Sequence, residues 1–337
     1  MSAAIATDAP ARRNLWTWLL EAGLRRNLGL ICALILLCIL GVITAGDRFM
    51  SADNIITILR LAAVTGVVSI GATFVITIAG IDLSVGAILA LAAVWATTLS
   101  GQDFAQQSTW LMLPLTAMGI GAAAGLINGI LIAYGKVVSF ITTLAMMAAA
   151  RGLAEIISDK KTQIITVDGF LDAVGGNFIG IPVIVWIFAV VAVLGWVLLN
   201  RTTFGRRTFA IGGNEEAARL AGINVKRHTM IVYALAGLCA GIGAFMLMAR
   251  TTTGSATHGT GLELDVIAAV VIGGTLLTGG RGSIFGTVLG VLIFSTLTNM
   301  FALNNLSLSV QLVAKGAIIV AAVMIQRRMA QRQGSKT

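Results

Sequence analysis

The chain carries very little charge. Of its 337 residues only 11% are Asp, Glu, Lys or Arg, against roughly 25% in an average soluble domain. That is too little polar surface to coat a water-soluble globule of this length. Histidine is nearly absent: His228 and His258 are the only two, both read as loop residues. A histidine metal cluster or a nucleophile–histidine triad therefore has no material to be built from. The three cysteines, Cys32, Cys38 and Cys239, sit inside apolar runs. Their spacing fits neither a metal site nor a disulfide framework, so they read as small hydrophobes. A soluble enzyme, an intramembrane enzyme, a disulfide scaffold and a disordered tail are all excluded.

Hydrophobic residues make up 57% of the chain, and its mean hydropathy is +0.94. A spanning helix needs about 20 mostly apolar residues. Ten segments qualify: 28–45, 57–79, 84–100, 110–134, 137–157, 181–199, 229–249, 264–279, 284–303 and 307–325, the third and eighth being short. The first reads as retained rather than as a cleaved signal, since 27 residues precede it. With a cytoplasmic N-terminus, 16 of the 23 Lys and Arg fall inside and four outside. This follows the positive-inside rule, places both termini in the cytoplasm, and accounts for the net charge of +9 without a nucleic-acid partner. The fold expected is all-α and polytopic. Residues 1–27 form a cytoplasmic or interfacial segment, residues 28–326 the membrane domain, and residues 327–337 a basic cytoplasmic tail. Within 11–27, Leu15, Trp16, Leu19, Leu20 and Leu24 recur at helical spacing opposite arginines, the pattern of an amphipathic helix lying on lipid.

Two glycine ladders stand out: Gly121, Gly125 and Gly129 in the fourth span, and Gly282, Gly286 and Gly290 at the start of the ninth. Glycines four apart clear one helix face so that another backbone can approach. "GIDL" at 80–83 precedes the third span and "GLEL" at 261–264 the eighth. Both echoes are five spans apart, an odd number, which predicts two five-helix repeats inverted in the membrane.

The longest inner connection is 200–228. Asn214 suits an N-cap, and Glu215 and Glu216 then occupy the first turn, where the helix dipole favours anions. Ala217, Ala218, Leu220 and Ala221 continue a short helix, and Gly222 suits its stop. "EAARLAG" at 216–222 resembles the coupling motif of ABC importer permeases. "GIDLSVGA" at 80–87, "GLINGILI" at 125–132, "GRRTFAIGGNEEAARLAGI" at 205–223, "GGTLLTGGRGSIFGT" at 273–287 and "KGAIIVAAV" at 315–323 resemble, in order, the permeases for ribose, xylose and related monosaccharides. The sequence departs from that pattern at Ala145 and near "TNMFALNN". The resemblance implies a permease dimer in the bacterial inner membrane, a cytoplasmic ATPase holding ATP and Mg, and an extracytoplasmic sugar-binding protein. It implies that Asn214, Glu215, Glu216, Ala217, Ala218, Gly222 and Ile223 couple the permease to the ATPase. The outer loops 158–180 and 250–262 then receive the binding protein.

No nucleotide, metal or catalytic site is expected on this chain itself: "GGTLLTGGRGS" at 273–283 has arginine where a phosphate loop needs lysine, and reads as a tight embedded turn. Polar residues within spans are the candidates for the pathway. Asp82 marks a helix break or an N-cap for the next span. Asn128 offers an amide to a sugar hydroxyl or to a neighbouring helix, Asn299 offers another amide, and Phe140 offers a ring to a sugar face or to packing. Arg151 and Glu155 are expected to pair with each other, and Lys315 to meet a backbone carbonyl or snorkel. The competing readings are an ion-coupled secondary transporter, disfavoured because Asp82 and Glu155 lie near span ends, and a permease of the same fold for an amino acid or nucleoside.

Overall fold

The computed structural model describes the backbone of residues 15–334 and the side chains of 27–321 and 324. In chain order the elements are α1 (Leu15–Ala45), α2 (Asp47–Met50), α3 (Ala52–Thr77), α4 (Val85–Ala96), α5 (Leu99–Gln107), α6 (Met112–Ala133) and α7 (Ser139–Ser158). There follow β1 (Gln163–Ile164), α8 (Asp168–Gly175), β2 (Asn177–Phe178), β3 (Ile181–Pro182), α9 (Val183–Arg201), α10 (Thr203–Gly213) and α11 (Glu215–Leu220). The chain continues with α12 (Val225–Thr251), β4 (Thr253–Gly254), α13 (Leu262–Ile272), α14 (Ile284–Leu303) and α15 (Leu308–Gly334).

Among the described residues seven helices are long and apolar enough to cross a membrane, and an eighth span arises if α4 and α5, bent by 60°, are one broken crossing. This mostly helical architecture follows from the solvent. In hydrocarbon every backbone polar group needs a partner within its own segment, and a helix supplies it. The segments read as short are the short helices: α4 has 12 residues and α13 has 11. α1 continues without interruption from Leu15 into the first span; residues 11–14, and the side chains on which the amphipathic reading depends, lie outside the described residues.

Helices α3 and α12 lie at the centre of the bundle. α12 packs against α3, α4 and α6, while α3 packs against α12, α13 and α14. α4 packs on α6 and α7, and α13 on α14 and α15. The same pattern of neighbours thus appears twice. The core is made of small and branched side chains: Ala63, Val67, Val68, Phe74 and Val75 of α3, and Ala236, Ala244, Met246 and Met248 of α12. From Val85 to Val94, α4 is buried on every side, as a helix apolar all round must be. The outer helices instead present apolar faces outward, including Val190, Val193 and Leu194 of α9 and Ile141, Leu144 and Ile156 of α7.

The strands are small clasps. β1 pairs antiparallel with β4, and β2 with β3. The β2–β3 turn is Ile179–Gly180, both at positive φ, the twist that a two-residue hairpin requires.

Three assignments change, one of a histidine and two of charged residues. His228 is not in a loop. It lies in the first turn of α12, buried, with Nε2 2.9 Å from Thr208 Oγ1 and its ring 4.4 Å from that of Phe204, so it fastens α10 to α12. Arg151 donates not to Glu155 but to the carbonyls of Ala256 and His258. Those carbonyls belong to the loop before α13 and bring acceptors that the helix itself does not offer. Lys315 neither snorkels nor meets a carbonyl; its Nζ lies 2.8 Å from Asp265 Oδ2, an ion pair that joins α15 to α13.

Candidate functional site

The most distinctive local structure is α11. Asn214 has an extended backbone, and its side chain accepts from Ala217 N at 2.9 Å, which satisfies one of the free amides of the first turn. Glu216 accepts from Arg219 Nε at 3.1 Å on the exposed face, and this donor holds its carboxyl below the usual carboxylate value. At the other end, Ile223 N donates to Ala218 O at 3.1 Å and Gly222 N to Arg219 O at 3.0 Å. These are the paired bonds of a Schellman stop, and Gly222 supplies the required left-handed residue at φ +82°. Only Ala218 of the helix is buried. It sits with Ile211 and Val225, against Ile78 and Ile223. Glu215, Glu216, Ala217, Arg219 and Leu220 face outward, Leu220 being 78% exposed.

The sequence reading missed α10, which leads into this helix. The signal was present: Thr202 accepts from Gly205 N as an N-cap, and Phe204, Thr208 and Ile211 recur at helical spacing. At its far end Gly212 lies against the Thr77 carbonyl, closer than any Cβ would allow, and that carbonyl also accepts from Gly280 N at 2.9 Å. The glycine-rich segment 273–283 is therefore a turn wedged between the ends of α3 and α10. Gly274, Gly279 and Gly280 there have positive φ.

Chain continuity carries α3 from this end into an irregular break at residues 78–84 before α4 begins. Asp82 Oδ1 accepts from Ser84 N at 2.9 Å and from Ser84 Oγ at 2.5 Å. Ser84 Oγ in turn accepts from Asn128 Nδ2 of α6 at 2.9 Å. Asp82 thus both stabilises the start of α4 and anchors it to α6. Asp82 Oδ2 and Asn128 Oδ1 are buried without partners. Phe140 lies in the first turn of α7, beside the break and half exposed. Asn299 is elsewhere: its Nδ2 donates to Asn54 Oδ1 at 2.8 Å, at the opposite end of α3. The fold therefore brings Asp82, Asn128 and Phe140 into one neighbourhood and leaves Asn299 outside it.

The first glycine ladder faces α12. A Cβ on Gly121 or Gly125 would fall closer than 3.0 Å to backbone atoms of Gly237, and one on Gly129 to those of Met230. The second ladder faces α3 and α13: Gly282 lies against Thr77, Gly286 against Gly273, and Gly290 against Ala269. Except at Gly282, which faces the Thr77 side chain, these are backbone-to-backbone seams, which only glycine permits. Among the described residues no cluster of His, Cys, Asp or Glu is arranged to hold a metal.

A polytopic helical bundle with glycine seams, a broken central helix and a capped helix presented at one end defines a multi-pass transport subunit. A family described as "Branched-chain amino acid transport system / permease component" matches residues 54–323, and the chain belongs to this permease family of the inner membrane. The ribose import permease protein RbsC of Bacillus subtilis is 44% identical over 314 residues, 91% of this chain and 94% of that protein. RbsC of Escherichia coli K12 is 37% identical over 330 residues, 96% and 99% of the two chains. The L-arabinose ABC transporter permease protein AraH of Azospirillum brasilense is 37% identical over 334 residues, 98% and 95%. No solved structure matches the chain.

Proposed function

We propose that this chain is the membrane-spanning subunit of an ATP-driven importer for a monosaccharide of the ribose or arabinose kind. The supporting observation is the conjunction of near full-length likeness to ribose and arabinose permeases with the capped, outward-facing α11. ATP and Mg belong to a cytoplasmic ATPase that receives Asn214, Glu215, Glu216, Ala217, Ala218, Gly222 and Ile223. A sugar-binding protein docks at the opposite end, on 158–180 and 250–262. Two copies of the chain enclose the pathway, to which Asp82, Asn128, Phe140 and Asn299 contribute. Each copy has ten crossings in two inverted halves with both termini cytoplasmic. The repeated neighbour pattern around α3 and α12 supports that arrangement, as does the excess of Lys and Arg on the α11 side.

The test is gentle extraction of the tagged chain from native membranes, followed by mass spectrometry of what co-purifies, with Gly222→Arg beside it. A side chain at φ +82° unseats the helix stop. An ATPase retained by the parent and lost from the variant supports the reading. A chain that emerges alone in both cases, and accumulates substrate from an ion gradient in liposomes, is a secondary transporter instead. Uptake of ribose or arabinose, measured against leucine, decides between a sugar and the amino acid in the family description.

A further inference from the structure

We infer that the break at residues 78–84 carries displacement of α11 to α7, so that Ile78, Ala79 and Asp82 are positioning residues for transport. This rests on the reading of α11 as the ATPase-docking helix. Ile78, the first residue beyond α3, packs into the cluster of Ile211, Ala218 and Val225 beneath α11 and also against the main core. With Val225 of α12 it is one of the side chains through which α11 bears on the membrane domain. The next residue, Ala79, has φ +61°, a left-handed backbone that a residue with a Cβ adopts at a cost. It is held there by the end of α3, where Ala79 N donates to Ile76 O and Gly80 N to Val75 O, both at 2.9 Å, and Gly279 lies so close that a Cβ on it would meet Ala79.

Two residues further on, the chain meets α7 through its backbone. Ile81 N takes a hydrogen bond to Ser139 Oγ at 3.4 Å, and Thr143 Oγ1 donates to Ile81 O at 3.3 Å. Both bonds are long, and so easily exchanged. α7 packs on α4 and α6 through one face, while its outward face, with Phe140 and Leu144, is exposed among the described residues. By contrast α6 and α12 are locked backbone to backbone by their glycines.

The break is built to have a second arrangement. Asp82 uses one carboxyl oxygen and leaves the other buried without a donor, and Asn128 Oδ1 is left likewise. Unmade bonds at buried polar atoms raise the energy of this state. Together with the strain at Ala79 they bring an alternative conformation within reach, the two-state element that a coupling route requires. The route runs from Ala218 through Ile78 and Ala79 to Ile81, and from there to Ser139 and Thr143 on α7.

The experiment uses the complete transporter, permease with its ATPase and binding protein, in liposomes. It reads sugar imported per ATP hydrolysed, together with ATPase retention and thermal stability. Ile78→Ala empties the contact under α11 and should lower the ratio by roughly fivefold or more, the scale of typical coupling between sites. Ala79→Gly relieves the strained φ, so it should fold at least as well as the parent and still lower the ratio. The paired change Ser139→Ala with Thr143→Ala should do the same from the α7 side. Where Ile78→Ala fails to assemble, the other two decide. Parental ratios in Ala79→Gly and in the pair, while Gly222→Arg sheds the ATPase, overturn this inference alone. An ATPase that stays bound to Gly222→Arg overturns the reading of α11 and this inference with it.

Discussion

Gly125 and Gly119 lie on the same helix, α6, and the fold predicts opposite outcomes for the same substitution. A Cβ at Gly125 would lie closer than 3.0 Å to Tyr233 O and to Gly237 Cα. Both are backbone atoms of α12, so no rotamer change relieves the clash, and the two helices must part along the seam. Forcing an extra carbon into a packed interface costs about 1–3 kcal/mol. At Gly119 nothing lies within 4 Å of the added carbon. Alanine there gains helix propensity of about 1 kcal/mol without a clash. The propensity gain is common to both sites, so the difference between Gly125→Ala and Gly119→Ala isolates the packing cost. That cost corresponds to a gap of roughly 1–4 °C in midpoint for a chain of this size. The assay is thermal unfolding of the two purified variants in mild detergent, followed by size-exclusion fluorescence. Gly119→Ala should match or exceed the parent and Gly125→Ala should fall below it, with Gly125→Leu lowering the yield of folded protein further. Equal midpoints for the two alanine variants would refute the argument that this seam is set by backbone contact.

Three further outcomes follow from named contacts. Lys315→Met strands Asp265 in a largely buried setting and should destabilise the protein by about 3 kcal/mol, whereas Lys315→Met combined with Asp265→Asn should recover most of the loss; a double variant no better than the single, by the same thermal assay, contradicts the ion pair. Asn214→Ala removes the cap on α11 and should cost that helix about 1 kcal/mol, weakening ATPase retention in pull-downs, while Asn214→Ser retains it. Asn128→Ala and Asn299→Ala should slow sugar uptake without releasing the ATPase, and parental uptake kinetics in both would remove these amides from the pathway.

Much of this was legible in the residues because it is local. Seven of the ten apolar segments read as spans fall on long helices and an eighth on the bent pair α4–α5, since hydrocarbon leaves the backbone few alternatives, while 264–279 is helical only as far as Ile272. α11 was readable down to its ends, because caps are settled within four residues: Asn214 accepts from Ala217 N, and Gly222 takes the left-handed turn. α10 was missed although its cap and spacing were present. Its glycines argued for a loop, and what holds it as a helix is packing, His228 on one side and Thr77 on the other.

By itself, then, the sequence determined the class of protein, the positions of its helices and the form of the helix offered at one end. Hydropathy, capping and glycine spacing act over a few residues and do not wait for the rest of the chain. Only the tertiary structure decided which charges meet. Arg151 passed over Glu155, four residues away, for carbonyls more than a hundred residues along, and Lys315 found Asp265 fifty residues back. It alone separated Asn299 from Asn128 by pairing the former with Asn54, 245 residues distant, and it alone set Ile78 beneath Ala218. A buried polar group takes the partner that packing brings within hydrogen-bond reach. That choice depends on how whole helices cross, and no short stretch of residues records it.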